Sequence, residues 1–155
     1  MNKIFSIFLF ISLVTFPLKA TCQTKRSFTL NDITKLANMS KEDAHIWLTN
    51  DEFFTFIENL GDDFKGGIAN LYGMNYNIST EEAWIYVVKY YKSGKLAVQG
   101  KRSHLQTIIN ELKPFKKSSN LDDNGNMLSE YVYKSFRIYL NLTNDGAATI
   151  DIFPI

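Results

Sequence analysis

The chain has 155 residues, 45% hydrophobic and 14% aromatic, with 17 basic against 16 acidic side chains and one cysteine. This aromatic-rich composition, moderate in Pro and Gly, excludes an intrinsically disordered chain and suffices for one packed core. A net charge near zero argues against a nucleic-acid partner, because phosphate binding needs a concentrated excess of Lys and Arg.

In chain order, residues 1–22 read as a secretory signal peptide. Lys3 precedes an uncharged run from Ile4 to Phe16, and Ala20-Thr21-Cys22 supplies a small-residue exit. The run falls short of the roughly 20 apolar residues that cross a bilayer, so no membrane span is expected. Cys22 leaves two outcomes open. As a lipobox acceptor it would anchor an outer-membrane lipoprotein. Lys19 and Thr21 both depart from the Leu-Ala-Gly/Ala-Cys pattern, however, and cleavage after Cys22 releases a chain starting at Gln23. The expected location is the periplasm or the extracellular medium. Residues 1–22 carry Lys3 and Lys19 and no acid, so 15 of the 17 basic residues remain against 16 acidic ones, and 23–155 forms a single domain. With no cysteine left beyond residue 22, that domain holds no disulfide.

Thr29 opens a helix with a Thr–x–x–Asp capping box to Asp32, followed by Leu30, Ile33, Leu36 and Ala37 at helical spacing. A second box, Ser40 to Asp43, opens a helix striped with Ala44, Trp47 and Leu48 that stops at Asn50, the two joined at Asn38-Met39. Phe53–Ile57, Gly67–Tyr72, Glu82–Tyr91 and Lys95–Val98 are rich in aromatic and β-branched residues and read as strands, with Phe53–Leu60 also compatible with a helix ended by Gly61. Ser103–Leu112 returns to helical spacing until Pro114 stops it, and strands resume at 126–134, 136–142 and 147–153.

The second half echoes the first. Asn59-Leu60-Gly61-Asp62-Asp63 recurs as Asn120-Leu121-Asp122-Asp123, Trp84–Val88 corresponds to Phe136–Leu140, and Gly94 to Gly146 at the same offset of 52 residues. The expected fold is α+β, with short helices packed on one face of an antiparallel sheet and repeat halves over 40–101 and 102–155. In element order and turn placement, 40–153 resembles the tandem helix-plus-sheet repeats of the β-lactamase-inhibitor-protein type. The resemblance implies an exported binding module without a catalytic centre, which presents a sheet face to another protein. The chain departs from that inhibitor in lacking its disulfide-forming cysteines, so no functional residue is carried over.

No catalytic or metal signature stands out. His45 and His104 lie far apart, with no His–x₃–His or Cys–x₂–Cys spacing. Asp122-Asp123-Asn124-Gly125-Asn126 invites a calcium loop, but its Gly falls one place early, and Asn-Gly between strands is a hairpin signal. There is no Gly–x–Ser–x–Gly elbow and no Ser–x–x–Lys pair, and Ser103-His104 adjacency does not supply triad geometry. Glu81-Glu82 and Asp62-Asp63 read as solvated strand ends rather than an acid–base couple, and Lys65-Gly66-Gly67 lacks the rest of a phosphate loop. Lys113, Lys116 and Lys117 read as an exposed helix exit. No catalytic residue, metal or cofactor is assigned.

The strand faces carry the binding signal. With Phe136, Ile138, Leu140 and Leu142 pointing inward, Arg137, Tyr139 and Asn141 face out. The offset of 52 then turns Trp84, Tyr86, Val88 and Tyr90 inward and leaves Ile85, Val87, Lys89 and Tyr91 outward. Ile85, Val87, Tyr91, Arg137 and Tyr139 become the candidate binding residues, since Tyr and Arg dominate interface energetics. The plain alternative is that they merely cover the sheet, or that the helix at 29–37 packs over them. The function expected is an exported, non-catalytic module that binds another protein, such as an enzyme inhibitor or an immunity protein neutralising a toxin in the envelope. A lipid-anchored envelope protein with a structural or assembly role, and a small hydrolase with an unrecognised site, are the alternatives.

Overall fold

A computed structural model describes residues 27–50, 54–61 and 68–155. The leader with Cys22, the Asp62-Asp63 pair and Lys65-Gly66-Gly67 lie outside the described residues. The elements run α1 (Leu30–Ala37), α2 (Lys41–Asn50), β1 (Phe54–Asn59), β2 (Ala69–Met74), β3 (Ile85–Tyr90), β4 (Leu96–Lys101), α3 (Gln106–Leu112), β5 (Lys116–Leu121), β6 (Met127–Tyr133), β7 (Phe136–Leu142) and β8 (Ala147–Pro154). This is the α+β architecture expected from the sequence.

The starts of α1 and α2 follow from local chemistry. Thr29 and Asp32 close a reciprocal capping box, with the Asp32 amide 3.2 Å from Thr29 Oγ1 and the Thr29 amide 3.1 Å from Asp32 Oδ2. Ser40 caps α2 through its hydroxyl, which accepts from the Asp43 amide at 3.1 Å and donates to Asp43 Oδ2 at 2.9 Å. Glu111 in α3 accepts from the Leu30 amide at 2.6 Å and so ties the third helix to the start of the first.

All strand pairings are antiparallel, in the order β1-β2-β3-β4-β8-β7-β6-β5. Each half contributes a four-stranded meander. The last strands of the two meanders meet at the centre and the first strands form the two edges. The segment left open between helix and strand resolves as β1, with a bulge between Phe56 and Glu58. The helices lie on one face, where Ile33, Leu36, Ala44, Leu48, Ile108 and Leu112 pack against Tyr72, Val87, Val98, Ile138, Leu140 and Ile150.

Three expectations need correction. First, β3 presents the opposite face from the one expected. Ile85 and Val87 belong to the core, with Val87 fully buried, and Lys89 is buried beside them. The offset of 52 does hold between β4 and β8, where Leu96 and Val98 correspond to Ala148 and Ile150, all buried. The pair Lys89–Leu96 encloses residues 90–95, whereas Leu142–Ala148 encloses 143–147, one residue fewer. That extra residue shifts β3 to an offset of 53 against β7, and an odd shift exchanges the two faces of a strand. Second, the helix at 29–37 covers only part of the candidate set: Ile85 and Val87 share the core with α1, and Lys89 reaches the Ala37 carbonyl, whereas Arg137 and Tyr139 stand on the opposite face. Third, Lys116 and Lys117 are not a helix exit. After α3 the chain makes a 3₁₀ turn at Lys113–Phe115 and enters the edge strand β5, every residue of which is exposed.

The Asp122 loop is the β5–β6 turn. Asp122 Oδ1 accepts from the amides of Asn124 at 2.9 Å and Asn126 at 2.8 Å, and Oδ2 from the Asn126 side chain at 2.9 Å. These bonds, that of the Asn126 side chain first, hold its carboxyl below the usual carboxylate range. Asn144 bridges this turn to the β7–β8 turn, donating from its side chain to the Asn124 carbonyl at 2.7 Å.

Candidate functional site

No described helix covers the second face of the sheet. Its side chains fall in rows set by strand register. One row runs Tyr86, Gln99, Thr149, Asn141, Leu128 across β3, β4, β8, β7 and β6. The next runs Val88, Ala97, Asp151, Tyr139, Glu130. A third brings Tyr90 and Lys95 beside Phe153, Arg137 and Val132.

Charge on this face is paired with aromatic surface. Lys95 Nζ lies 3.0 Å from Asp151 Oδ1 and sits over the rings of Tyr90 and Phe153, 5.4 and 5.0 Å from their centroids. Arg137 Nε is 3.3 Å from Glu130 Oε1. Tyr139 meets Phe153 edge to face at 5.9 Å. Arg137, Tyr139, Phe153, Pro154 and Ile155 line a shallow cleft of about 380 Å³. These side chains stand on paired strands, so little freedom remains to be lost on contact with a partner.

Of the five residues picked from the sequence, the structure brings Arg137 and Tyr139 together on this face. Ile85 and Val87 lie in the core. Tyr91 is on the helix side, half-buried, its hydroxyl 3.5 Å from that of Tyr72. Sequence reasoning missed Tyr86, Val88, Tyr90, Lys95 and Phe153. The available signal was the unequal length of the two β-connections, since the apolar content of β3 is similar on both faces and does not choose between them.

Under the helices is a polar cluster. Tyr72 Oη takes a bond from Asn70 Nδ2 at 3.2 Å and lies 3.1 Å from His45 Nδ1. Burial, then the Tyr72 hydrogen bond, holds the Tyr91 hydroxyl well above the usual tyrosine range, so it stays protonated. Asn70 Oδ1 is buried without a partner. His104, the other histidine, places Nδ1 3.1 Å from the Trp84 carbonyl and stacks on the Trp84 ring at 5.1 Å. Among the described residues no group of three or more His, Cys, Asp or Glu could hold a metal ion. No described helix is long and apolar enough to cross a membrane. No protein-family model matches the chain, and neither a curated protein nor a solved structure does.

Proposed function

We propose that the protein is an exported, non-catalytic module that binds another protein through the open face of its sheet. The observation that carries this reading is the central block of that face, where Tyr90, Lys95, Asp151, Tyr139, Phe153, Arg137 and Glu130 interlock across β3, β4, β8, β7 and β6. Aromatic and Arg side chains on a rigid support are the composition of interface hot spots. The ion pairs satisfy the charges locally, so a partner meets few unpaired groups. Action is by steric occlusion of the partner, the mode of an enzyme inhibitor or of an immunity protein facing a toxin in the envelope. Export rests on the leader read at residues 1–22.

The test is affinity capture with the chain from Gln23, run on its own envelope fraction and on secretions of neighbouring cells. Wild type and a Tyr90→Ala/Tyr139→Ala variant are compared at matched thermal stability. A protein retained by the wild type and lost from the variant is the expected result. Identical retention by both would overturn the placement on this face.

A further inference from the structure

We infer that a groove at the Trp84 end of the sheet binds a neutral oligosaccharide, which stacks on Trp84 and hydrogen-bonds to the surrounding side-chain amides. The groove measures about 720 Å³ and is lined by Tyr86 and Gln99 of the open face, by Trp84 and His104, and by Asn75 and Glu82 of the β2–β3 connection. That is the size of small-ligand sites, about 300–1,000 Å³. It lies apart from the Tyr139–Phe153 block, so the inference goes beyond protein recognition and stands separately from it.

The site is built rather than incidental. Trp84 is 39% exposed, and His104 supports its ring at an interplanar angle of 25°. A carbonyl only accepts, so the contact to the Trp84 carbonyl puts a hydrogen on His104 Nδ1 and leaves Nε2 an acceptor in the neutral ring. The Tyr86 hydroxyl donates to the Glu81 carbonyl at 2.8 Å and accepts from the Ala83 amide at 2.9 Å, pinning the connection over the strand. Gly100 lets the Trp84 backbone approach, since a Cβ there would stand 2.5 Å from the Trp84 carbonyl oxygen. A ligand therefore finds the groove already formed.

Its chemistry selects the ligand class. Side-chain amides donate and accept at once, as sugar hydroxyls do, and those of Asn75 and Gln99 line the groove from exposed positions. The lining carries one acidic and one basic side chain, Glu82 and Lys101, so its formal charge does not select a charged ligand. An indole face suits the C–H face of a pyranose ring. An extended peptide lacks its usual purchase, because β3, β4 and β8 are hydrogen-bonded to neighbours at this level, with Tyr86 opposite Gln99 and Gln99 opposite Thr149. No strand edge is free there for an added strand.

Calorimetric titration of the wild type with cellotriose, maltotriose and triacetylchitotriose tests this. Tryptophan emission is followed in Trp47→Phe, which leaves Trp84 as the remaining one of the chain's two indoles. Saturable binding of at least one saccharide is expected, with a shift in Trp84 emission and affinity weakened by about tenfold or more in Trp84→Ala and in Gln99→Ala. Gln99 is exposed on a central strand, so its variant keeps the fold, which thermal melts verify. Absence of saturable binding at millimolar saccharide overturns the inference. So does unchanged affinity in both variants, or Trp84-dependent binding of a polyproline peptide where no saccharide binds.

Discussion

The ammonium of Lys89 donates to the main-chain carbonyl of Ala37, the last residue of α1. Lys89 is 2% exposed, faces Asn70 of β2, and occupies the place that Leu142 holds in the second meander. A cation at a helix C-terminus is favoured, yet desolvation outweighs that benefit and pulls its pKa from 10.5 to about 8.

Stability therefore depends on pH with a definite sign. Between about 8 and 10.5 the unfolded chain holds a proton that the folded chain has released, so stability rises with pH and is lost again as pH falls through about 8. Tyr91 acts in the opposite sense, but only above about pH 10, where an unfolded tyrosine ionises. Melts at about pH 7 and about pH 9.5 should show the higher Tm at the alkaline value, with the difference diminished in Lys89→Met. A Tm that is flat or falling over that interval in the wild type contradicts this account.

The reversed face of β3 makes neighbouring residues unequal. Ile85→Ala empties a site in the core and is expected to cost about 2–5 kcal/mol. Val88→Ala, on the open face, should cost less than about 1 kcal/mol. Urea denaturation of the two variants decides it, and equal losses would return β3 to the face inferred from the offset of 52.

Gly100 carries a steric requirement. In Gly100→Ala the new methyl meets the Trp84 carbonyl oxygen, a backbone atom that cannot swing aside. A loss of about 1–3 kcal/mol is expected, together with altered Trp84 emission as the carbonyl leaves His104. A variant with wild-type stability and spectrum would show the two strands less closely apposed.

The edge strand β5 is guarded by Lys116 and Lys117, charged side chains on an otherwise unpaired edge. Replacing both with Thr should leave the melting temperature nearly unchanged and promote self-association, read by light scattering at rising concentration. A monomer at every concentration would show that the lysines do not protect this edge.

Much of the fold was legible because local chemistry agrees with tertiary placement. Thr29–Asp32 and Ser40–Asp43 announce the starts of α1 and α2, Asn124-Gly125 the β5–β6 turn, and Phe136–Leu142 alternates cleanly between core and surface. β5 was missed because Lys116–Leu121 has no buried face, leaving no alternation to detect. β3 was inverted because Ile85 and Val87 on one side match Tyr86 and Val88 on the other, while the buried Lys89 points to the wrong choice. Three of the five candidate residues, Ile85, Val87 and Tyr91, followed that inversion. The groove at Trp84 joins residues from 75 to 147, a proximity that no local pattern encodes.

The strand order also bears on how the chain reaches its folded state. β8 follows every other strand in sequence yet lies at the centre, between β4 and β7. The first meander therefore keeps a bare, apolar-flanked edge at β4 until all of the second has been synthesised. Closing that seam joins segments about fifty residues apart, Val98 to Ile150, which makes it a late, non-local event in folding. Until then β4 is the strand on which a nascent chain is most exposed to pairing with a neighbour, and the one a chaperone has most reason to shield.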